Sequence, residues 1–164
     1  MPAVKDRLLD VKIDIETSSR EGLVGLLNQT LANTSDLVGQ FKQAHWNVRG
    51  ADFWQVHKLY DAIHEAMEPF VDEVAERIST LGGVAKGTVR MAASSSALKE
   101  FPAGFGDSKK FTTELRDRVA AYAKQVRADI GRAEKLGDPT TADLLTETSR
   151  TADLQLYFLE SHLH

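Results

Sequence analysis

The chain has 164 residues, 42% of them hydrophobic and 27% charged, which predicts one globular domain with a real hydrophobic core rather than two domains. It contains no cysteine, which excludes disulfides, thiolate zinc sites and iron–sulfur clusters. Any metal must therefore be held by His, Asp and Glu, and these ligands suit iron, manganese or zinc. The net charge of −4 argues against general affinity for nucleic acid, and the lack of a long apolar run or signal-peptide core predicts a cytoplasmic protein with no membrane partner.

Residues 1–17 are predicted to form an N-terminal arm, and residues 18–164 the folded domain. The arm is not a basic tail, because residues 1–22 carry four basic and five acidic side chains, a net charge of −1. Ser18 and Glu21 form the S-x-x-E pattern of a capping box, which predicts a first helix ending at Gly50.

A second helix is predicted from Asp52, a suitable N-cap, to the pair Gly82-Gly83. Pro69 removes one backbone hydrogen bond inside this helix and should kink it. The connection between the two helices is short, so they should form an antiparallel pair with His45 beside His57 near their shared end.

Two stripes are predicted on the second helix. Apolar side chains repeat at three and four residues and must face the core: Val56, Leu59, Ile63, Met67, Phe70, Val74 and Ile78. On the opposite side, His57, Asp61, Asp72 and Glu76 share one face, centred roughly 150° away from the apolar stripe. This second stripe therefore faces solvent or another molecule, and a solvated acidic face is the simpler interpretation.

Distance indicates how the polar stripe is used. On a straight helix His57 and Glu76 are roughly 28 Å apart, and Asp61 and Asp72 roughly 16 Å, so one copy of the helix cannot surround one metal. Both pairs are centred on the same point, between Ala66 and Met67. Two antiparallel copies related by a two-fold axis at that point would bring each His57 to the partner's Glu76, which predicts paired metal sites shared between subunits.

The rest of the chain predicts two more long helices after a long crossover. A short helix is expected at about 89–98 within that crossover, and a third long helix at about 108–135. Asp138-Pro139 supplies an N-cap and a first-turn proline for a fourth helix at about 140–161. The predicted fold class is all-α: a ferritin-like four-helix bundle with a short extra helix between helices two and three.

The residues HWNVRGADFWQVH are followed by an Asp-x3-Asp-like spacing and by Ala75-Glu76-Arg77 with Gly82-Gly83. In these residues the chain resembles the Dps family of ferritin-like proteins. The resemblance covers about residues 22–160, and it implies that His45, His57 and Asp61 of one subunit, with Asp72 and Glu76 of its two-fold mate, are the ferroxidase ligands. Trp46 matches the family's tryptophan beside the site, where it would absorb a stray oxidising equivalent; a core aromatic is the other interpretation. The Glu-x-x-His pattern of ferritins is absent.

The resemblance further implies an iron-storage and detoxification enzyme, a ferroxidase-type oxidoreductase acting on metal ions. It would form a hollow homo-dodecamer that oxidises Fe(II) with hydrogen peroxide, or oxygen, stores ferric mineral and so protects DNA from oxidative stress. Zinc or manganese fits the same ligands. A pore at a three-fold axis, lined by Asp138, Asp143 and Glu147, would admit iron, although acids at the start of a helix also complement its dipole.

Two alternatives remain open at this stage. One is a non-catalytic helical scaffold whose His/acid stripe joins subunits or binds structural zinc. The other is a DNA-compacting, nucleoid-associated protein, which the acidic balance of residues 1–22 disfavours.

Overall fold

The structure is a computed structural model that describes residues 7–164. Four long helical rods form a bundle, namely α1 (Thr17–Asn47), the rod made of α2 (Phe53–Met67) and α3 (Pro69–Thr80), α5 (Ser108–Lys135) and α6 (Pro139–Ser161). A short helix, α4 (Val89–Ser95), lies in the crossover between the second and third rods and packs on α1. The predicted all-α four-helix bundle with a short crossover helix is confirmed, and none of the helices in residues 7–164 is long and apolar enough to cross a membrane.

The apolar stripe of the second rod is the face that builds the core. Six of its seven predicted members are buried, and Leu59 packs at the edge of the same cluster. The face that carries His57, Asp61, Asp72 and Glu76 therefore points away from the core of this chain, as the period of 3.6 residues requires.

The rod is interrupted at Glu68, between α2 and α3, where the sequence predicts a kink at Pro69. Proline has no N–H, so the Glu65 carbonyl loses its donor, but Glu68 keeps helical dihedrals of φ −58° and ψ −40°. The helical path therefore continues through Glu68 from α2 into α3. Downstream, α3 ends at Thr80 with Leu81 as its C-cap, and Gly82 follows with a φ of +82° that favours glycine, so the predicted end of the second rod is confirmed.

The start of α1 differs from the predicted capping box. Glu16, not Ser18, occupies the N-cap position, and no side chain caps the helix. Arg20 decides this start: its buried guanidinium donates hydrogen bonds to the carbonyls of Ile15, Leu9 and Leu81. These contacts tie residues 9–15 to the end of α3 and outweigh the local Ser18 pattern. The division into an arm at 1–17 and a domain at 18–164 stays a prediction, and residues 1–6 lie outside the described residues.

Two short strands, which the sequence did not predict, connect the start of α5 to the α1–α2 connection. Strand β1 (Val48–Arg49) pairs in parallel with β2 (Gly106–Asp107). A Cβ at Gly106 would lie 2.2 Å from the ring of buried Phe111, so only glycine fits there. The pairing holds in place the connection between α1, which bears His45, and α2, which bears His57.

Candidate metal centre

His45 and His57 are in direct contact at the shared end of α1 and α2. Their ring centroids are 3.7 Å apart, and the ring planes differ by 18°. Both side chains are half-buried. The predicted neighbourhood of these two residues is confirmed, and it follows from the five-residue connection between α1 and α2.

The backbone fixes the tautomer of both rings. Nδ1 of His45 lies 2.8 Å from the carbonyl oxygen of His57, and Nδ1 of His57 lies 2.9 Å from the carbonyl oxygen of His45. A carbonyl oxygen only accepts, so each Nδ1 carries the proton and donates it. Each neutral ring then has its free lone pair on Nε2, and a backbone carbonyl on the other nitrogen is the usual support of a metal-binding histidine.

Asp61 lies one helical turn beyond His57 and forms an ion pair with Lys42 of α1. The hydrogen bond from Lys42 holds the pKa of Asp61 below its ordinary value, and the positive charge of Lys42 lowers it further. The carboxylate is therefore charged at neutral pH. Within one chain, the charge of Asp61 is thus matched by the ammonium group of Lys42.

Asp72 and Glu76 lie on α3 and are exposed. No group of three or more His, Asp or Glu side chains within residues 7–164 is arranged to hold a metal. The five predicted ligands are thus divided along the rod: two histidines in contact, Asp61 one turn away, and two acids on the far half.

Aromatic side chains surround the histidine pair. Trp46 is 61% exposed, so it is not a core aromatic of this chain. Trp54, also exposed, has its ring 6.3 Å from that of His57, and Phe53 lies 4.8 Å from it. Trp54 and Phe53 were not predicted as site residues, although both lie within the four residues before His57.

His64 lies near this site and was not among the predicted site residues. It follows His57 by seven residues, about two helical turns, so the helical period places it on the polar stripe. Its Nδ1 lies 3.0 Å from the carbonyl oxygen of Val38, and the side chain is half-buried. The seven-residue spacing was the available signal.

The three predicted pore acids separate into two environments. Asp143 and Glu147 are exposed on the first turns of α6. Asp138 is 1% exposed; it caps α6, accepts a hydrogen bond from Thr141 and forms a 2.7 Å ion pair with Arg77. Its carboxylate therefore holds α3 to α6, and this corrects the expectation that it lines a channel.

Burial raises the pKa of Asp138, but the hydrogen bonds from Thr141 and Arg77 outweigh that effect and hold the pKa below its ordinary value. The carboxylate is therefore charged in the folded protein at neutral pH. The charge is matched by the guanidinium of Arg77, which is 12% exposed, so the pair forms a largely buried link between two rods.

Comparison with known proteins decides the family. Residues 24–164 match the Ferritin-like domain. The chain is 36% identical over 152 residues to the DNA protection during starvation protein of Agrobacterium fabrum, covering 93% of this chain and 94% of the relative. The chain belongs to the Dps family of ferritin-like proteins. A second Dps relative, from Halobacterium salinarum, is 32% identical over 91% of this chain and 82% of its own.

Solved Dps structures have the same fold. DpsC from Streptomyces coelicolor superposes with a TM-score of 0.92 at 32% identity, covering 96% of this chain and 92% of that one. An archaeal Dps homologue from Halobacterium salinarum also reaches 0.92, at 26% identity, covering 100% and 92%. The resemblance to the Dps family is therefore confirmed along nearly the whole chain.

Proposed function

We propose that this Dps-family protein oxidises Fe(II) at sites shared between two-fold related subunits and stores the ferric product inside a hollow dodecamer. The observation that carries the proposal is the reciprocal hydrogen bonding of His45 and His57, which leaves the Nε2 lone pair free on each of two stacked, half-buried rings. A structural scaffold has no need of two histidines held in this tautomer. The proposed cellular role is detoxification of iron and peroxide in the cytoplasm, which protects DNA.

In the proposed site, each chain supplies one half of the ligands. His45, His57 and Asp61 of one subunit face Asp72 and Glu76 of the partner subunit. Imidazole and carboxylate bind both Fe(II) and Fe(III), so the same ligands hold the substrate and its oxidised product, and zinc or manganese would compete for them.

The proposed reaction transfers two electrons from iron to the oxidant and consumes two protons. Two Fe(II) ions each lose one electron; hydrogen peroxide takes both, together with two protons, and yields two water molecules. The two-electron path avoids hydroxyl radical, and oxygen would be the alternative oxidant. Lys42, displaced from Asp61 by the cation, keeps a positive charge near the carboxylates and can deliver a proton there. Trp46, exposed beside the histidines, is placed to take up a stray oxidising equivalent.

The direct test is aerobic addition of Fe(II), with and without hydrogen peroxide, followed through the near-ultraviolet absorbance of the ferric product. We expect wild-type protein to accelerate oxidation, and His57→Ala to lower the catalysed rate by about 10–100-fold. His162→Ala is a matched control, because His162 is an exposed histidine at the C-cap of α6, outside the site. An uncatalysed rate with wild-type protein would support the scaffold function instead.

Iron entry is proposed at three-fold contacts near the start of α6, through Asp143 and Glu147. Neutralising both, as Asp143→Asn with Glu147→Gln, removes the negative field but leaves the oxidation ligands untouched. We expect oxidation to slow by up to about tenfold at low Fe(II) and low salt, and to recover at saturating Fe(II).

The matched control for the pore carries the same charge change further along α6, as Asp153→Asn with Glu160→Gln. This control should oxidise iron like wild type at every concentration. If the Asp143/Glu147 variant assembles normally and also matches wild type at low iron, these acids only complement the helix dipole and iron enters elsewhere.

DNA binding through the N-terminal arm is not expected. Arg20, one of the four bases in residues 1–22, is 6% exposed and bonded to three carbonyls, which leaves the rest of that segment still more acidic. We expect no stable complex in a gel-shift assay at roughly 150 mM salt, where weak phosphate contacts are lost. A variant with Asp6→Lys, Asp10→Lys and Asp14→Lys should gain binding and serves as the positive control.

Retardation of wild-type protein at that salt, abolished by removal of residues 1–17, would overturn this expectation. Such a result would favour the DNA-compacting alternative as an additional function.

A further inference from the structure

His64 repeats the structural setting of His57. Each histidine donates from Nδ1 to a backbone carbonyl of α1, His57 to His45 and His64 to Val38. His64 lies seven residues further along α2, and Val38 lies seven residues earlier along α1. Because α1 and α2 are antiparallel, seven residues forward on α2 correspond to seven residues backward on α1. The same histidine-to-carbonyl contact therefore occurs twice, about two helical turns apart.

The repeated contact leaves a second Nε2 available. Because the Val38 carbonyl accepts from Nδ1, the neutral His64 ring has its lone pair on Nε2. Within residues 7–164 no hydrogen bond or ion pair engages that nitrogen. His64 is half-buried, and its Nδ1 contact holds the ring against α1, so part of the side chain stays accessible on the polar stripe.

Asp61 stands between the two histidines, four residues after His57 and three residues before His64. Residues three and four apart lie on the same face of a helix, so His57, Asp61 and His64 follow one another along the polar stripe. Asp61 and His64 have the carboxylate-x-x-His spacing by which ferritin-like di-iron proteins bind metal from one helix, with aspartate in place of glutamate.

We propose that His64 is a ligand for a second divalent cation at each shared site, with Asp61 beside it and Glu68 of the partner subunit opposite. This inference rests on the antiparallel pairing in the proposed function. A two-fold axis between Ala66 and Met67 brings Glu68 of the partner subunit to within about 2 Å of the level of His64 along the rod. Glu68 is exposed on the polar stripe. A nitrogen ligand with two carboxylates suits Fe(II), and a second Fe(II) beside the first makes two electrons available together.

Equilibrium binding of Co²⁺ to the assembled protein tests the assignment, because Co²⁺ takes the same ligands without being oxidised under these conditions. The sharpest variant is His64→Asn, whose amide nitrogen can still donate to the Val38 carbonyl while Nε2 is removed. Calorimetry and the visible absorption of bound Co²⁺ should report a loss of about one equivalent per subunit relative to wild type. Glu68→Gln, an exposed substitution, should lose the same equivalent, and native mass spectrometry verifies that both variants assemble.

His162→Asn is the matched control, since His162 also hydrogen bonds through Nδ1 to a carbonyl, that of Phe158, but lies outside the stripe. It should bind Co²⁺ like wild type. Unchanged Co²⁺ stoichiometry and affinity in assembled His64→Asn overturn the assignment, even if iron oxidation at His57 is demonstrated. If wild-type protein fails to accelerate iron oxidation but His64→Asn and Glu68→Gln both lose the Co²⁺ equivalent, the proposed function fails and this cation position stands.

Discussion

His57→Ala and Glu76→Ala proteins, each inactive alone, should recover about a quarter of wild-type iron oxidation when mixed in equal amounts under subunit exchange. Random exchange makes half of all dimers mixed. In a mixed dimer one site combines both damaged residues, while the other combines wild-type His57 with wild-type Glu76. Stopped-flow oxidation before and after exchange measures the recovery.

The matched control mixes His57→Ala with Asp61→Ala. Both substitutions damage the half-site that one chain supplies, so every site in a mixed dimer has one missing ligand and activity should not return. Mass spectrometry must verify that mixed dimers form in both experiments. If the first pair stays inactive in verified mixed dimers, or if the control pair recovers equally, the ligands do not come from two chains.

Asp138→Ala should destabilise the protein by roughly 3–5 kcal/mol, because it leaves the guanidinium of Arg77 largely buried and unpaired and also removes the cap of α6. Denaturant unfolding at fixed protein concentration measures this loss. Asp143→Ala, an exposed acid one turn further along α6, should change the free energy of unfolding by less than about 0.5 kcal/mol.

The contribution of Asp138 should also depend on pH. Its pKa in the folded protein lies below the value of about 3.9 expected in the unfolded chain, so the stabilisation is fully present above that value. It is lost as the pH falls through the folded-state pKa, and the difference between wild type and Asp138→Ala should shrink in acid. A loss below about 1 kcal/mol at neutral pH, unchanged in acid, would contradict the assigned role.

The rods and the polar stripe could be predicted from the sequence because both follow from local periodicity. The stripe residues Val56, Ile63 and Val74 are buried as a period of 3.6 residues requires, and helix-ending signals such as Gly82 act within one turn. The position of His45 beside His57 followed from the shortness of one connection.

The errors occur where long-range contacts override a local pattern. Ser18 matches a capping box, but Arg20 binds carbonyls up to 61 residues away and shifts the start of α1. Asp138 was expected in a pore, and its ion pair with Arg77, also 61 residues distant, instead buries it. No local pattern contains these partners, and the β1–β2 pairing was missed for the same reason.

Two chains together form each proposed metal site, and the sharpest test is a crystal structure of the protein soaked anaerobically with Fe(II). Anomalous diffraction at the iron edge should reveal iron at a two-fold axis between subunits, bound by His57 and Asp61 of one chain and by Glu76 of the partner subunit. Iron bound entirely by side chains of one chain, or a two-fold contact that leaves His57 far from the partner's Glu76, would contradict the account.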